Sequence, residues 1–203
     1  MFFLRTESFQ QFIRYYPIVT IIVAIHIVLF LITEVMPGVA SESIKYDLLG
    51  INYLISDAGE YWRLVTPIFV HLSLTHILFN SFSLILFGPA LEVMLGKVKF
   101  ILAYLTMGVL ANVATLFLQP PIYSHAGASG AIFGLFGIYL YLLFMRPNLL
   151  DGDSRQIVIV IVAIALIMTF ATSGINVTAH VFGLLAGLAL GPILFANHSK
   201  GRI

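Results

Sequence analysis

The sequence predicts an all-α membrane protein, a bundle of six transmembrane helices with one long, membrane-associated first external loop. Three observations carry that prediction. Sixty per cent of the residues are hydrophobic and only 9% are charged, against about 25% charged in ordinary soluble domains. Apolar runs recur along nearly the whole chain at the length of about 20 residues that a helix needs to cross a bilayer. The lysines and arginines, finally, gather on alternate connections between those runs. The chain therefore reads as a single membrane domain over residues 1–203, without a soluble domain, linker or low-complexity tail.

The first span covers roughly residues 17–36. A signal peptide is the rival reading, because Gly38-Val39-Ala40 loosely resembles a small-residue cleavage site. The apolar stretch is nearer 20 residues than the ~7–15 of a signal core, which favours a retained span. The longest polar stretch, near residues 37–70, follows as the loop. Span two, 76–95, opens with His76 and Asn80 and holds the acid Glu92 near its far end; span three covers 98–118. Span four, 127–145, opens on Gly127-Ala128-Ser129-Gly130 and meets no charge before Arg146. Spans five and six cover 156–173 and 178–195, and His180 lies at the start of the last.

Orientation follows from the cations. With the N-terminus in the cytoplasm, the inside carries Arg5, Arg14, Lys97, Lys99, Arg146, Arg155, Lys200 and Arg202, while the outside keeps Lys45 and Arg63. Cytoplasmic loops carry the excess of Lys and Arg, so both termini are expected inside. Ser129, His180, His76 and Asn80 then all stand near the outer ends of their spans. Three helices deliver polar groups to one level of the membrane.

Composition narrows the classes further. A net charge of +1 offers no basic face for nucleic acid. The absence of cysteine excludes structural disulfides and thiolate metal sites, and says little about redox compartment in a membrane bundle. Of the six histidines, only His71 and His76 are a close pair. On one helix an i, i+5 spacing sets them about 140° apart, poor for joint ligation, so no metal is expected. His26, His125 and His198 read as structural or solvated.

Ser129 and His180 suggest a nucleophile and its base. A serine hydroxyl is a weak nucleophile until a base takes its proton, and neutral imidazole suits that role at neutral pH. Spans four to six contain no Asp or Glu, and the only acids between the two residues are Asp151 and Asp153 in a connecting loop. A hydrolase built this way works with a dyad. Asn176, one turn before His180, either orients the ring or caps the helix. For the oxyanion, the candidate donors are the Ser129 backbone amide and the side chains of His76 and Asn80, which share a helix face at i, i+4. Gly183, Gly187 and Gly191 form a small-residue ridge on span six, and Gly130 and Gly134 form one on span four, so close packing of the two would bring Ser129 to His180. Phe133, four residues after Ser129, falls on the serine's face and can lie against the imidazole. Each feature has a plain alternative: a membrane serine often bonds its own i−4 carbonyl, and glycine ridges are mostly packing devices.

Taken together, Trp62-Arg63, His71-xxxx-His76-xxx-Asn80, Glu92-xxx-Gly96, Gly127-Ala128-Ser129-Gly130 and Ala179-His180-xx-Gly183 resemble the rhomboid family of intramembrane serine proteases, in its bacterial six-span form. The resemblance runs over nearly the whole chain. It implies Ser129 as nucleophile, His180 as general base, and an oxyanion hole of His76, Asn80 and the Ser129 amide, with Gly127, Gly130, Phe133 and Gly183 in support. It implies a water-accessible cavity below the outer surface of a bacterial plasma membrane, no cofactor, and single-span transmembrane proteins as substrates. Glu60 and Arg63 match positions that support the loop, and Phe79, beside Asn80, is a candidate gate residue. Two positions depart from the pattern: Phe133 stands where a tyrosine is frequent, and Phe182 where many relatives have glycine. The competing class is a non-enzymatic membrane protein, either an inactive rhomboid-like binding factor or a small transporter. The first should lack Ser129 or His180, and the second should show internal repeats or mid-membrane charges.

Overall fold

The computed structural model describes Phe3, residues 6–36 and residues 38–196. Arg5, His198, Lys200 and Arg202 of the charge and histidine readings lie outside the described residues.

All six expected spans are helices. A short α1 (Phe9–Tyr15), opened by a reciprocal Ser8–Gln11 capping box, leads into α2 (Pro17–Phe30). A π-helical turn, Leu31–Val35, continues α2, so the first span is 19 residues long. Its start is held from another helix: the Ile18 and Val19 amides, which have no partner in their own first turn, both donate to Glu92 at 2.9 Å. Glu92 is thus a buried cap, aided by the positive end of the α2 dipole.

The long polar stretch is folded rather than irregular. It forms α3 (Val39–Leu48), β1 (Gly50–Ile51), α4 (Asn52–Ser56) and two 3-10 turns, Tyr61–Leu64 and Thr66–Phe69. Arg63 is the staple. Its guanidinium is 1% exposed, pairs with Glu60, and donates to the carbonyls of Tyr46 and Leu49 at the end of α3.

Beyond the loop, α5 (Leu74–Leu95) and α6 (Lys97–Leu118) are joined by the single residue Gly96. Its φ of +77° permits a reversal that a β-carbon would strain. Asn112 on α6 donates to the Leu64 carbonyl at 2.9 Å, tying the loop to the bundle. Then β2 (Ser124–His125) pairs antiparallel with β1, Gly50 opposite His125 and Ile51 opposite Ser124. That two-residue ribbon fastens the loop beside the turn that opens α7 (Ser129–Met145). After it come α8 (Gly152–Ala171) and α9 (Val177–Leu194).

Five of these spans have the length and apolar character to cross a membrane, and α7 is the shorter apolar sixth. At 17 residues α7 rises about 26 Å, less than the ~30 Å hydrocarbon core. It is also the axis of the bundle, with twelve of its residues buried. It packs chiefly on α9, then on α6 and α5, while α2 lies on α5 and α8 stands at the edge. The outward residues, such as Phe79, Phe117, Phe144 and Phe170, are large and apolar. The chain is an integral membrane protein built as a helical bundle.

Candidate active site

Backbone contact between α7 and α9 creates the site. A β-carbon on Gly183 would overlap the Gly130 carbonyl, and one on Gly187 would overlap the Gly134 carbonyl. Only residues without a side chain allow this approach. The contact fixes His180, three residues before Gly183, against the first turns of α7. There the Phe133 ring lies parallel to the imidazole, with centroids 4.0 Å apart and an interplanar angle of 16°.

Ser129 is the first residue of α7 and is half-buried. Its amide belongs to the opening turn, whose N–H groups have no intrahelical acceptor and lie at the positive end of the helix dipole. Among the described residues no hydrogen bond joins the Ser129 hydroxyl to His180. Hydrogen bonds between catalytic groups are often long in unliganded sites and tighten with substrate.

His76 opens α5 and faces the turn before Ser129. A β-carbon on Gly127 would stand 2.5 Å from His76 Nε2, so the glycine admits the ring. Gly127 also carries a φ of +121°, and its amide donates to the Pro67 carbonyl at 2.8 Å. Asn80 is buried one turn below His76 and donates one amide N–H to the His76 carbonyl at 3.0 Å. Its second N–H has no partner among the described residues. The structure thus gathers Ser129, His180, Phe133, Gly127, Gly130 and Gly183 along the α7–α9 seam, with His76 of α5 against Gly127 and Asn80 one turn below it.

Asn176 resolves to one of its two readings. Its Oδ1 accepts the Ala179 amide at 2.9 Å and its Nδ2 donates to Thr115 at 3.0 Å, so it caps α9 and ties it to α6. The group on His180 Nδ1 is instead Thr169 of α8, whose Oγ1 lies 2.9 Å away. The sequence held a faint signal for it: Thr169 is the only hydroxyl in an unbroken apolar run after Gln156.

The histidine pair needs a correction. The helix begins at Leu74, so His71 is not on it and the i, i+5 argument does not apply. The His71 ring lies 5.0 Å from that of His76 and 4.5 Å from that of His26, centroid to centroid. Even so, among the described residues no three His, Asp or Glu groups are placed to hold a metal.

The sequence has relatives among known proteins. A family model described as the rhomboid domain matches residues 58–197. YdcA of Bacillus subtilis strain 168, provisionally named a rhomboid protease, is 46% identical over 188 residues, 93% of this chain and 94% of its own. The rhomboid protease GluP of the same organism is 36% identical over 166 residues, 81% of this chain and 32% of GluP. The rhomboid protease GlpG of Haemophilus influenzae is 28% identical over 135 residues, 66% of this chain and 69% of GlpG.

Proposed function

The chain belongs to the rhomboid family, and on that footing we propose that it is an intramembrane serine endopeptidase that cuts transmembrane segments of other proteins. The observation that carries the reading is the α7–α9 seam, where glycine-to-glycine contact sets Ser129 and His180 on facing helix starts with Phe133 against the ring. In this reading Nε2 of His180 takes the Ser129 proton as the oxygen attacks a backbone carbonyl. The Ser129 amide, His76 and Asn80 stabilise the oxyanion, and His180 then returns the proton to the departing amine. A helical substrate must unwind locally first, because a helix occupies its own carbonyls. No cofactor is required.

The experiment is cleavage of a single-span substrate by the purified protein in lipid vesicles. Ser129→Ala and His180→Ala should each abolish cutting by a similar factor, since the two act as one unit. Asn80→Ala and His76→Ala should slow it, at most by the roughly 10²–10³ that one oxyanion donor supplies, and less than additively in combination. Cutting by Ser129→Ala at the wild-type bond would end the assignment.

We further propose that both termini face the cytoplasm and that the site opens outward, on the support of the Lys/Arg distribution. Reporters fused after residue 150 should register cytoplasm, and those near residue 122 the outside. The opposite pattern would invert the topology.

A further inference from the structure

We propose that Thr169 is a positioning residue that holds His180 in the tautomer protonated at Nδ1, leaving the Nε2 lone pair for the serine proton. This role rests on the protease reading above, and it keeps the base in working form without an acid.

Counting protons fixes the tautomer. A threonine hydroxyl has one hydrogen and two lone pairs. Thr169 Oγ1 lies 2.7 Å from the Ala165 carbonyl and 2.9 Å from His180 Nδ1. A carbonyl cannot donate, so the hydroxyl hydrogen lies toward Ala165. The contact with Nδ1 is then a hydrogen bond only if Nδ1 carries the proton. A neutral imidazole has one N–H, so Nε2 is unprotonated and basic. The other tautomer would set two lone pairs against each other at Thr169, and its Nε2–H could not accept a proton from serine.

The placement suits the task. Thr169 is 1% exposed, so bulk water does not compete for the contact. Its branched side chain is stiff at χ1, and the bond to the carbonyl four residues back fixes the rotamer. The acceptor therefore does not swing. Phe133 holds the face of the same ring and Thr169 holds its edge. A carboxylate would do the orienting with more force, but a charge at this depth is costly, and a hydroxyl avoids that cost.

The test uses the full chain in lipid vesicles with a single-span substrate, comparing wild type, Ser129→Ala, Thr169→Val and Thr169→Ser. Thr169→Val keeps the shape and removes the acceptor. It should lower kcat by about tenfold to a hundredfold, less than outright loss of a general base, while KM and the thermal unfolding midpoint stay near wild type. Thr169→Ser should recover most of the loss. Independently of turnover, ¹⁵N NMR of His180 in the inert Ser129→Ala protein should show a protonated Nδ1, and adding Thr169→Val should shift the population toward Nε2–H. A protonated Nε2 with Thr169 in place, or wild-type kcat in Thr169→Val, overturns the proposal. If Ser129→Ala still cuts, the protease reading fails instead, and the NMR result still decides the tautomer. If Thr169→Val does not fold, the spectrum with Thr169 in place decides the tautomer by itself.

Discussion

The last two helices are alike in sequence and unlike in how the bundle holds them. Both α8, 20 residues, and α9, 18 residues, are apolar and qualify as spans. Yet α9 buries Gly183, Gly187 and Gly191 against α7 and meets its backbone directly, whereas α8 touches the bundle along one stripe of Ser154, Val158, Val162 and Thr169. Lipid tails are as apolar as valine, so burying valine against protein gains little over leaving it in lipid. Close backbone approach gains dispersion contacts that lipid does not match. Small residues, and not apolar ones, select the helix that goes deep. The residues read as nucleophile and base straddle that tight seam, and α8 adds the Thr169 contact to His180 from the edge.

Substitution at matched depth tests the contrast. Gly187→Ala puts a methyl group into the Gly134 carbonyl, a backbone atom that has no rotamer to move away. We expect a loss of about 3 kcal/mol, the upper end for overpacking, read as a lowered midpoint on unfolding in mixed detergent. Val162→Ala on α8 should cost below about 1 kcal/mol in the same assay, because lipid or a small shift refills the space. Equal losses would mean that the glycine seam is not what holds α9.

A second contrast sets the spans against the loop ribbon. His125, on β2, packs against Gly50 and is buried with neither ring nitrogen bonded among the described residues. Burial lowers its pKa to about 4. His71, ahead of α5, is lowered to about 2, by burial first and then by the neighbouring His26 and His76. An unfolded chain takes up these protons near pH 6.5 and the folded one does not, so stability is full above about 6.5 and falls as the pH drops. At 1.36 kcal/mol per unit, His125 alone should cost about 2 kcal/mol at pH 5. His125→Phe should flatten the slope between pH 6.5 and 5 in the same unfolding assay. A slope unchanged by that substitution would show that His125 does not carry this dependence.

Much of this protein is legible in the chain because the bilayer leaves few choices. Backbone groups in lipid must bond within their own segment, so each long apolar run has to be a helix. The spans at 17–36 and 178–195 appear within a few residues of where composition sets them. The glycine spacing on α7 and α9 likewise marks a close contact in the sequence itself. Other features leave weak marks or misleading ones. The β1–β2 pair is two residues on each side, too short for any periodic pattern. His71 and His76 suggest a shared helix because spacing alone does not show where the first turn begins; Ser73 sets that start by accepting the His76 amide. Asn176 is equally suited to capping or orienting until Thr115 and Ala179 are found at its two ends.

Sequence by itself determined the class of the protein, the number of its spans and the polar residues worth watching, since hydropathy and residue type are properties of single segments. Which face each helix turns to which neighbour is a property of pairs. That alone decided that Phe133 lies on His180, that His76 fits over Gly127, and that the group reaching His180 Nδ1 is a hydroxyl from α8 rather than the asparagine one turn away. In a helix apolar all round, no periodicity marks the inner face, so its rotation is settled by packing against the rest of the bundle.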